Sequence, residues 1–289
     1  MDGGASGSTV RVKKFGVHLG AEISGIDLTQ TVSDADIAVV RDALLEHQVL
    51  AFRDQDITPQ QQMAFGARFG ELSVHPIAPH DEEIPELIVF DNTPDNPAMF
   101  TDNWHSDETF REAPPLGTML RAIQVPEIGG DTLFASMTAA YEGLSDKIKH
   151  LINDLEAVHD VKLFRLGFTD DDEGREQEKY INENFPKVIH PVVREHPETG
   201  QKILFVNPHF TLHIKGMSEL ESQSLLAILY HQAEIPEYQI RHRWEPNTML
   251  FWDNRSTQHY APHDYTERRF LHRITIKGDR PYGPGQKPA

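Results

Sequence analysis

The amino-acid sequence predicts a mainly β protein with flanking helices, an α+β chain built around a β-sandwich or jelly-roll core. Three observations lead there. Short β-type runs recur along the chain: LIVF at 87–90, TMLRAI at 118–123, TLFAS at 132–136, KVIHPVV at 187–193, KILFVN at 202–207, TMLFWDN at 248–254 and FLHRITI at 270–276. Few of them alternate with helices in the manner that builds a parallel sheet. The helical patterns between them are amphipathic, so they pack on the outside of the strands.

The elements follow in chain order. MDGGASGSTV at the start is Gly/Ser-rich, with no basic or apolar block, and reads as a flexible leader over 1–9 rather than a signal peptide. Ser33 begins a helix with Ile37, Val40, Leu44 and Leu45 on one face, and QVLAF at 48–52 is a buried strand. Thr58-Pro59 opens a second helix, with Pro in the first turn, that runs to Gly70. Ser145 caps a helix carrying Ile148, Leu151, Ile152 and Leu155, and SELE at 218–221 is a capping box. HPETG at 196–200 is the turn of a hairpin. Residues 164–185, with TDDDEGREQEK inside, read either as a solvated loop or as a lid loop over a site. No repeat or long linker interrupts the chain, so 10–283 reads as a single domain and 284–289 as a flexible tail.

Composition narrows the function. Of 289 residues, 38% are hydrophobic and 25% charged, which suits a soluble globular protein with a real core. The formal charge of −18 repels phosphate backbones and anionic lipid, which argues against nucleic-acid and membrane partners. No apolar run approaches the ~20 residues that span a bilayer, and a cytoplasmic protein is expected. With no cysteine and sixteen histidines, a transition metal here must be held by imidazole and carboxylate.

NWHSDETF places His105 and Asp107 two apart, which on a strand puts both on one face. Such a pair also occurs by chance about once in a chain this rich in His and Asp. WDNRSTQHY, however, supplies His259, and ten residues later comes Arg269, then Arg273. Two histidines and one carboxylate form the facial triad of non-haem iron(II), leaving positions for a cosubstrate and O2. A keto-diacid cosubstrate such as 2-oxoglutarate needs an Arg for its far carboxylate, because a guanidinium pairs bidentately and stays charged. Arg269 and Arg273 share a strand face, and an inward Arg requires an anionic partner.

Beyond the triad, long stretches are similar to one known family. GAEISGIDL, FRDQDITPQQQ, FGELSVHP, NWHSDETF, GGDTLFAS, HPVVREHPETG, LFVN, FWDNRSTQHYAPHDY and RRFLHR occur in order from about Val10 to Tyr282. They resemble the taurine dioxygenase group of iron(II)/2-oxoglutarate-dependent oxygenases. The resemblance implies a double-stranded β-helix (jelly roll), with iron(II) held by His105, Asp107 and His259. It implies 2-oxoglutarate bound by Arg269 and Thr132, substrate anion gripped by His75 and Arg273, and Phe210 as an aromatic wall. It also implies a homo-oligomer, a dimer or tetramer.

Departures from the taurine enzymes bear on substrate. Ala78 stands where they have a Tyr, Thr101 where they have an Asn, and Glu108 where a small apolar residue follows the metal Asp. The anion grip is kept and the ammonium grip rebuilt or lost. A further pocket aromatic aligns with either Phe164 or Arg165. The expected reaction is hydroxylation of an aliphatic carbon of a small anionic substrate, first a sulfonate or sulfate, with O2 and 2-oxoglutarate giving succinate and CO2. Asp107 at the ligand position leaves no vacancy for halide, which argues against halogenation. Rival readings are a carboxylate substrate such as an aryloxyalkanoate or amino-acid derivative, a non-catalytic jelly-roll protein that binds an anion or metal, and a zinc hydrolase, which would leave the Arg269 spacing unexplained.

Overall fold

The computed structural model describes residues 8–76, 78, 81, 83–97, 101–161 and 170–286. The N-terminal part comprises β1 (Arg11–Lys14), β2 (Ala21–Ser24), α1 (Asp34–His47), β3 (Val49–Phe52), α2 (Pro59–Gly66) and β4 (Leu72–Ser73). Next come β5 (Ile88–Asn92), β6 (Gly117–Gln124), β7 (Thr132–Ser136), α3 (Met137–Glu142), α4 (Asp146–Ile152) and β8 (Glu156–His159). They are followed by α5 (Asp172–Asn184), β9 (Val188–Pro191), β10 (Val193–Glu195), β11 (Lys202–Leu204) and β12 (Thr211–Ile214). The chain closes with α6 (Glu219–Glu234), β13 (Gln239–His242), β14 (Met249–Asp253), β15 (Thr257–Tyr260) and β16 (Arg269–Ile276).

Eight strands form the larger sheet, in the order β1-β2-β3-β14-β6-β16-β4 with β5 also on β16. A smaller sheet, β13-β7-β15, faces it. Side chains from both sheets meet between them: Phe134 of β7 packs with Val49, Ala51, Leu120, Ala122, Leu250, Trp252 and Leu271 of the larger sheet. The alternate residues of the same strands, Leu50, Phe52, Met249, Phe251 and Ile274, point to the outer face and are covered by Val40, Leu44 and Phe65 of α1 and α2. Central strands buried on both faces explain why these runs are continuously apolar rather than alternating. The two facing sheets with external helices make the expected jelly roll.

Local chemistry sets the helix starts. Ser33, Thr58, Ser145 and Ser218 each accept from a backbone N–H of the first turn, and Thr58 and Ser218 complete capping boxes. The ends are less legible: α2 stops at Gly66, not Gly70, and α4 at Ile152, short of Leu155. The 187–193 run divides into β9 and β10, which pair with different neighbours. HPETG does join an antiparallel hairpin, β10 to β11.

Part of the acidic segment expected to be a loop is helix: α5 starts on Asp171, which accepts from Gly174 N, and its Ile181 is buried beside Phe110, Val161 and Phe210. One apolar anchor on an otherwise charged helix leaves no periodic stripe to read in advance. Phe164 and Arg165 lie outside the described residues.

Candidate active site

The strand expected to carry both His105 and Asp107 is not regular. His105 forms an isolated antiparallel bridge with His259, N–H to C=O in both directions at 3.1 and 2.8 Å, and residues 107–110 turn immediately afterwards. Backbone pairing therefore sets the two imidazoles side by side, with centroids 4.2 Å apart, and the turn swings Asp107 in beneath them. Asp107 Oδ1 is 3.9 Å from His105 Nε2 and 3.7 Å from His259 Nε2. One ligand atom from each of the three residues falls within a 4.8 Å cluster, and all three residues are buried.

The protonation states suit a cation. His105 Nδ1 is 2.7 Å from Asn103 O, so it carries the proton and leaves Nε2 as the free lone pair. Burial lowers the pKa of His105, and burial together with the neighbouring His105 pushes His259 down to about 3, so both stay neutral. Burial opposes ionisation of Asp107, but Arg273, the two histidines and a hydrogen bond from Thr118 outweigh it and hold the carboxyl well below the usual range. Thr118 Oγ1 donates to Oδ2 at 2.8 Å, turning Oδ1 toward the histidines. Two nitrogens and one carboxylate oxygen, converging and buried, fit iron(II).

Arg269 lies on β16 with Leu271 and Arg273 on the same, inward face. It is buried; its Nε donates to Gly130 O at 3.1 Å, while Nη2 has no hydrogen-bond partner. Its guanidinium carbon is 5.8 Å from the Trp244 ring, and Trp244 Nε1 donates to Thr132 Oγ1 at 3.0 Å. Arg269 and Thr132 are thus brought together, with a buried cationic N–H to spare.

On the other side, Arg273 Nη2 is 3.0 Å from Asp107 Oδ1, and His75 is buried with Nδ1 accepting from Ala78 N at 2.8 Å. Phe210 packs edge-on to His105 at 6.3 Å and against Phe110 at 5.4 Å. Glu108, buried, reaches between His75 and Arg273. Thr101 is engaged by the segment after β15: its Oγ1 contacts Ala261 O at 3.2 Å and His263 Nε2 at 2.7 Å.

Residue-pattern reasoning missed three supports. Asn254 Oδ1 accepts from Asp107 N at 2.6 Å, and its Nδ2 donates to Asp107 O at 3.0 Å and Pro115 O at 3.2 Å. Thr118 and Arg111 were missed likewise. Asn254 stands in the WDNR stretch already singled out, but its partner is 147 residues away and no spacing rule reveals it.

A jelly roll holding a buried His–Asp–His cluster with an inward arginine nearby defines the class, a non-haem metal oxygenase. Residues 11–275 match the profile of the taurine catabolism dioxygenase TauD, TfdA family, and the chain belongs to that family. It is 36% identical over 276 residues to an alkylsulfatase of Acinetobacter baylyi, covering 93% of this chain and 86% of that one. It is 35% identical over 271 residues to an alpha-ketoglutarate-dependent sulfate ester dioxygenase of Pseudomonas putida, covering 92% and 89%. A taurine dioxygenase from Burkholderia xenovorans superposes with a TM-score of 0.82 at 35% identity, covering 97% and 93%. The protein is an enzyme of the 2-oxoglutarate (alpha-ketoglutarate)-dependent dioxygenase class. Among the described residues, no helix is long and apolar enough to cross a membrane.

Proposed function

We propose that the protein hydroxylates an aliphatic carbon of a small anionic substrate, with a sulfonate or sulfate ester the first choice. The overall change is substrate plus 2-oxoglutarate plus O2 to hydroxylated substrate, succinate and CO2. Where the hydroxylated carbon bears the sulfur group, the adduct collapses to an aldehyde and sulfite or sulfate. The carrying observation is the buried His105–Asp107–His259 cluster set beside a buried Arg269 with an unpartnered N–H. The relatives named for sulfate esters support the choice of anion.

His105, Asp107 and His259 would hold iron(II), which when bound supplies the O2-dependent oxidation chemistry. Arg269 pairs with the far carboxylate of 2-oxoglutarate, and the Thr132 hydroxyl assists. Arg273 and His75 orient the substrate anion, and Phe210 walls the apolar part so that one C–H bond faces the metal and water is kept out. Thr101, Ala78 and Glu108 shape the remainder of the pocket, with Ala78 leaving room beside His75. The proposal extends to one catalytic domain over 10–283, a cytoplasmic location, a covering role for 170–185, the described part of the 164–185 segment, and a dimer or tetramer testable by light scattering.

The test is anaerobic. Iron(II) and 2-oxoglutarate are added to the purified protein, and the weak visible charge-transfer band of the chelate is followed while alkyl sulfonates, alkyl sulfates and aryloxyalkanoates are titrated in. A band that one anion class perturbs, and that Arg269→Ala weakens, supports the reading. An identical response from Arg269→Ala sinks the assignment of the cosubstrate site.

A further inference from the structure

Glu108 is an unusual residue to find beside a metal ligand. Its φ is 50°, the left-handed region that a residue with a long side chain seldom adopts without a compensating constraint. Its side chain is 2% exposed. One oxygen is fully engaged: Oε2 accepts from Arg111 Nε at 2.5 Å, and Arg111 is itself anchored by Nη2 donating to Val74 O at 3.0 Å. The other is not. Oε1 is buried without a hydrogen bond, 3.9 Å from His75 Nε2 and 3.9 Å from Arg273 Nη2. Arg273 also keeps Nε and Nη2 free of hydrogen bonds, although Nη2 is in ionic contact with Asp107 Oδ1 at 3.0 Å.

Glu108 Oε1, which makes no hydrogen bond, therefore lies 3.9 Å from Arg273 Nη2, and Arg273 Nε likewise makes none. Leaving such groups unmade is costly, more so when they are charged. The charges sum to one positive, from Arg111 and Arg273 against Glu108, once Asp107 is committed to the metal. That balance accepts a single anionic group. The distances add a second requirement. A ligand whose anionic oxygen accepts from Arg273 brings its neighbouring atoms within reach of Oε1, 3.9 Å away.

We infer that Glu108 Oε1 is a substrate-selecting acceptor: the pocket takes an anion that carries an N–H or O–H donor one or two carbons from the charged group. It discriminates against the plain alkyl anion of the same size. The inference rests on the substrate-anion reading of Arg273 and His75 above. A donor-bearing ligand satisfies Arg273 and Glu108 together, whereas its methyl isostere buries Oε1 against carbon. Sites built around a hydrogen bond reject the analogue lacking it far more strongly than apolar pockets reject a size change.

The experiment uses full-length protein loaded anaerobically with Mn(II) and 2-oxoglutarate, and calorimetry of matched ligands. The pairs are 2-aminoethanesulfonate and 2-hydroxyethanesulfonate against propane-1-sulfonate, and 3-aminopropanoate against butanoate. Wild type is expected to bind the donor-bearing member at least about tenfold more tightly. Glu108→Gln, checked as folded by its Mn(II) binding, is expected to bring the pair within about threefold, chiefly by gaining affinity for the plain anion. Equal binding of both members by wild type overturns the inference, as does an unchanged ratio in Glu108→Gln. If no anion binds while 2-oxoglutarate does, the anion-site reading itself fails, and the inference with it.

Discussion

Replacing Asn254 by Ala removes no metal ligand, yet it is expected to loosen the metal centre. The amide ties the backbone of Asp107 to the turn between β14 and β15, accepting from Asp107 N and donating to Asp107 O and Pro115 O. Asn254 is 1% exposed, so its loss leaves one N–H and two C=O groups without these partners in the buried interior. At the low end of about 1 kcal/mol for each orphaned group, the cost is about 3 kcal/mol of stability. For a chain of this size that is a fall of roughly 5 °C in Tm. The larger consequence is positional. Asp107 sits on a turn, not a paired strand, so this clamp is what holds it opposite His259. Supports of this kind are typically worth about 10- to 100-fold in metal affinity. Mn(II) titration followed by the loss of its free-ion paramagnetic resonance signal measures that directly, with no turnover needed. Asn254→Asp keeps the acceptor for Asp107 N but sets a carboxylate against two carbonyls, and should be at least as weak as Asn254→Ala. An Asn254→Ala variant with wild-type Mn(II) affinity and Tm would falsify the clamp.

Further outcomes follow from the same geometry. Thr118→Val deletes the donor to Asp107 Oδ2 while keeping volume, and should weaken Mn(II) binding by roughly tenfold, less than the Asn254 change. Gly130 has φ 68°, and a Cβ there would lie 2.9 Å from Pro126 Cγ and 3.3 Å from Arg269 Cδ. Gly130→Ala should therefore cost about 1 kcal/mol or more and, by displacing Arg269, raise the KM for 2-oxoglutarate well above its effect on metal binding. Burial holds His190 down at about 4, against hydrogen bonds to Thr109 O and Arg111 O that work the other way. The unfolded chain takes up a proton near pH 6.5 that the folded one refuses until about pH 4. Stability is thus complete above pH 6.5 and declines as pH falls, by about 1.4 kcal/mol per unit from this group. Urea titrations at several pH values should show a shallower acid slope in His190→Gln, and an unchanged slope would count against a neutral buried His190.

Much of the protein was legible in its residues because much of its physics is local. Capping side chains act within three residues, which is why Ser33, Thr58, Ser145 and Ser218 mark helix starts correctly. Continuous apolar runs marked β3, β6 and β14 because both faces of these strands are buried. The order His105, Asp107, His259, Arg269 carries chemical information in residue type alone, and the cluster that forms is the one those types require. α5 was hidden because Ile181, its buried anchor among the described side chains, is surrounded by charge.

What residue order could not supply is how distant pieces meet. That His105 pairs with His259 across a single bridge, so that Asp107 arrives by a turn, depends on where the smaller sheet closes against its neighbours. That Asn254 holds Asp107, that Trp244 lies between Arg269 and Thr132, and that Thr101 is drawn toward His263 are contacts across long stretches of chain. Glu108 is the sharpest case. Its residue type marked a departure from the small apolar residue of the taurine enzymes, but its oxygen without a hydrogen bond, its tie to Arg111 and its approach to Arg273 exist only after packing. The sequence by itself determined the class of fold and the ligand types of the His105–Asp107–His259 cluster, because those depend on local propensity and side-chain chemistry. The tertiary structure alone decided which polar groups are buried without partners, because burial is a property of the whole packed chain.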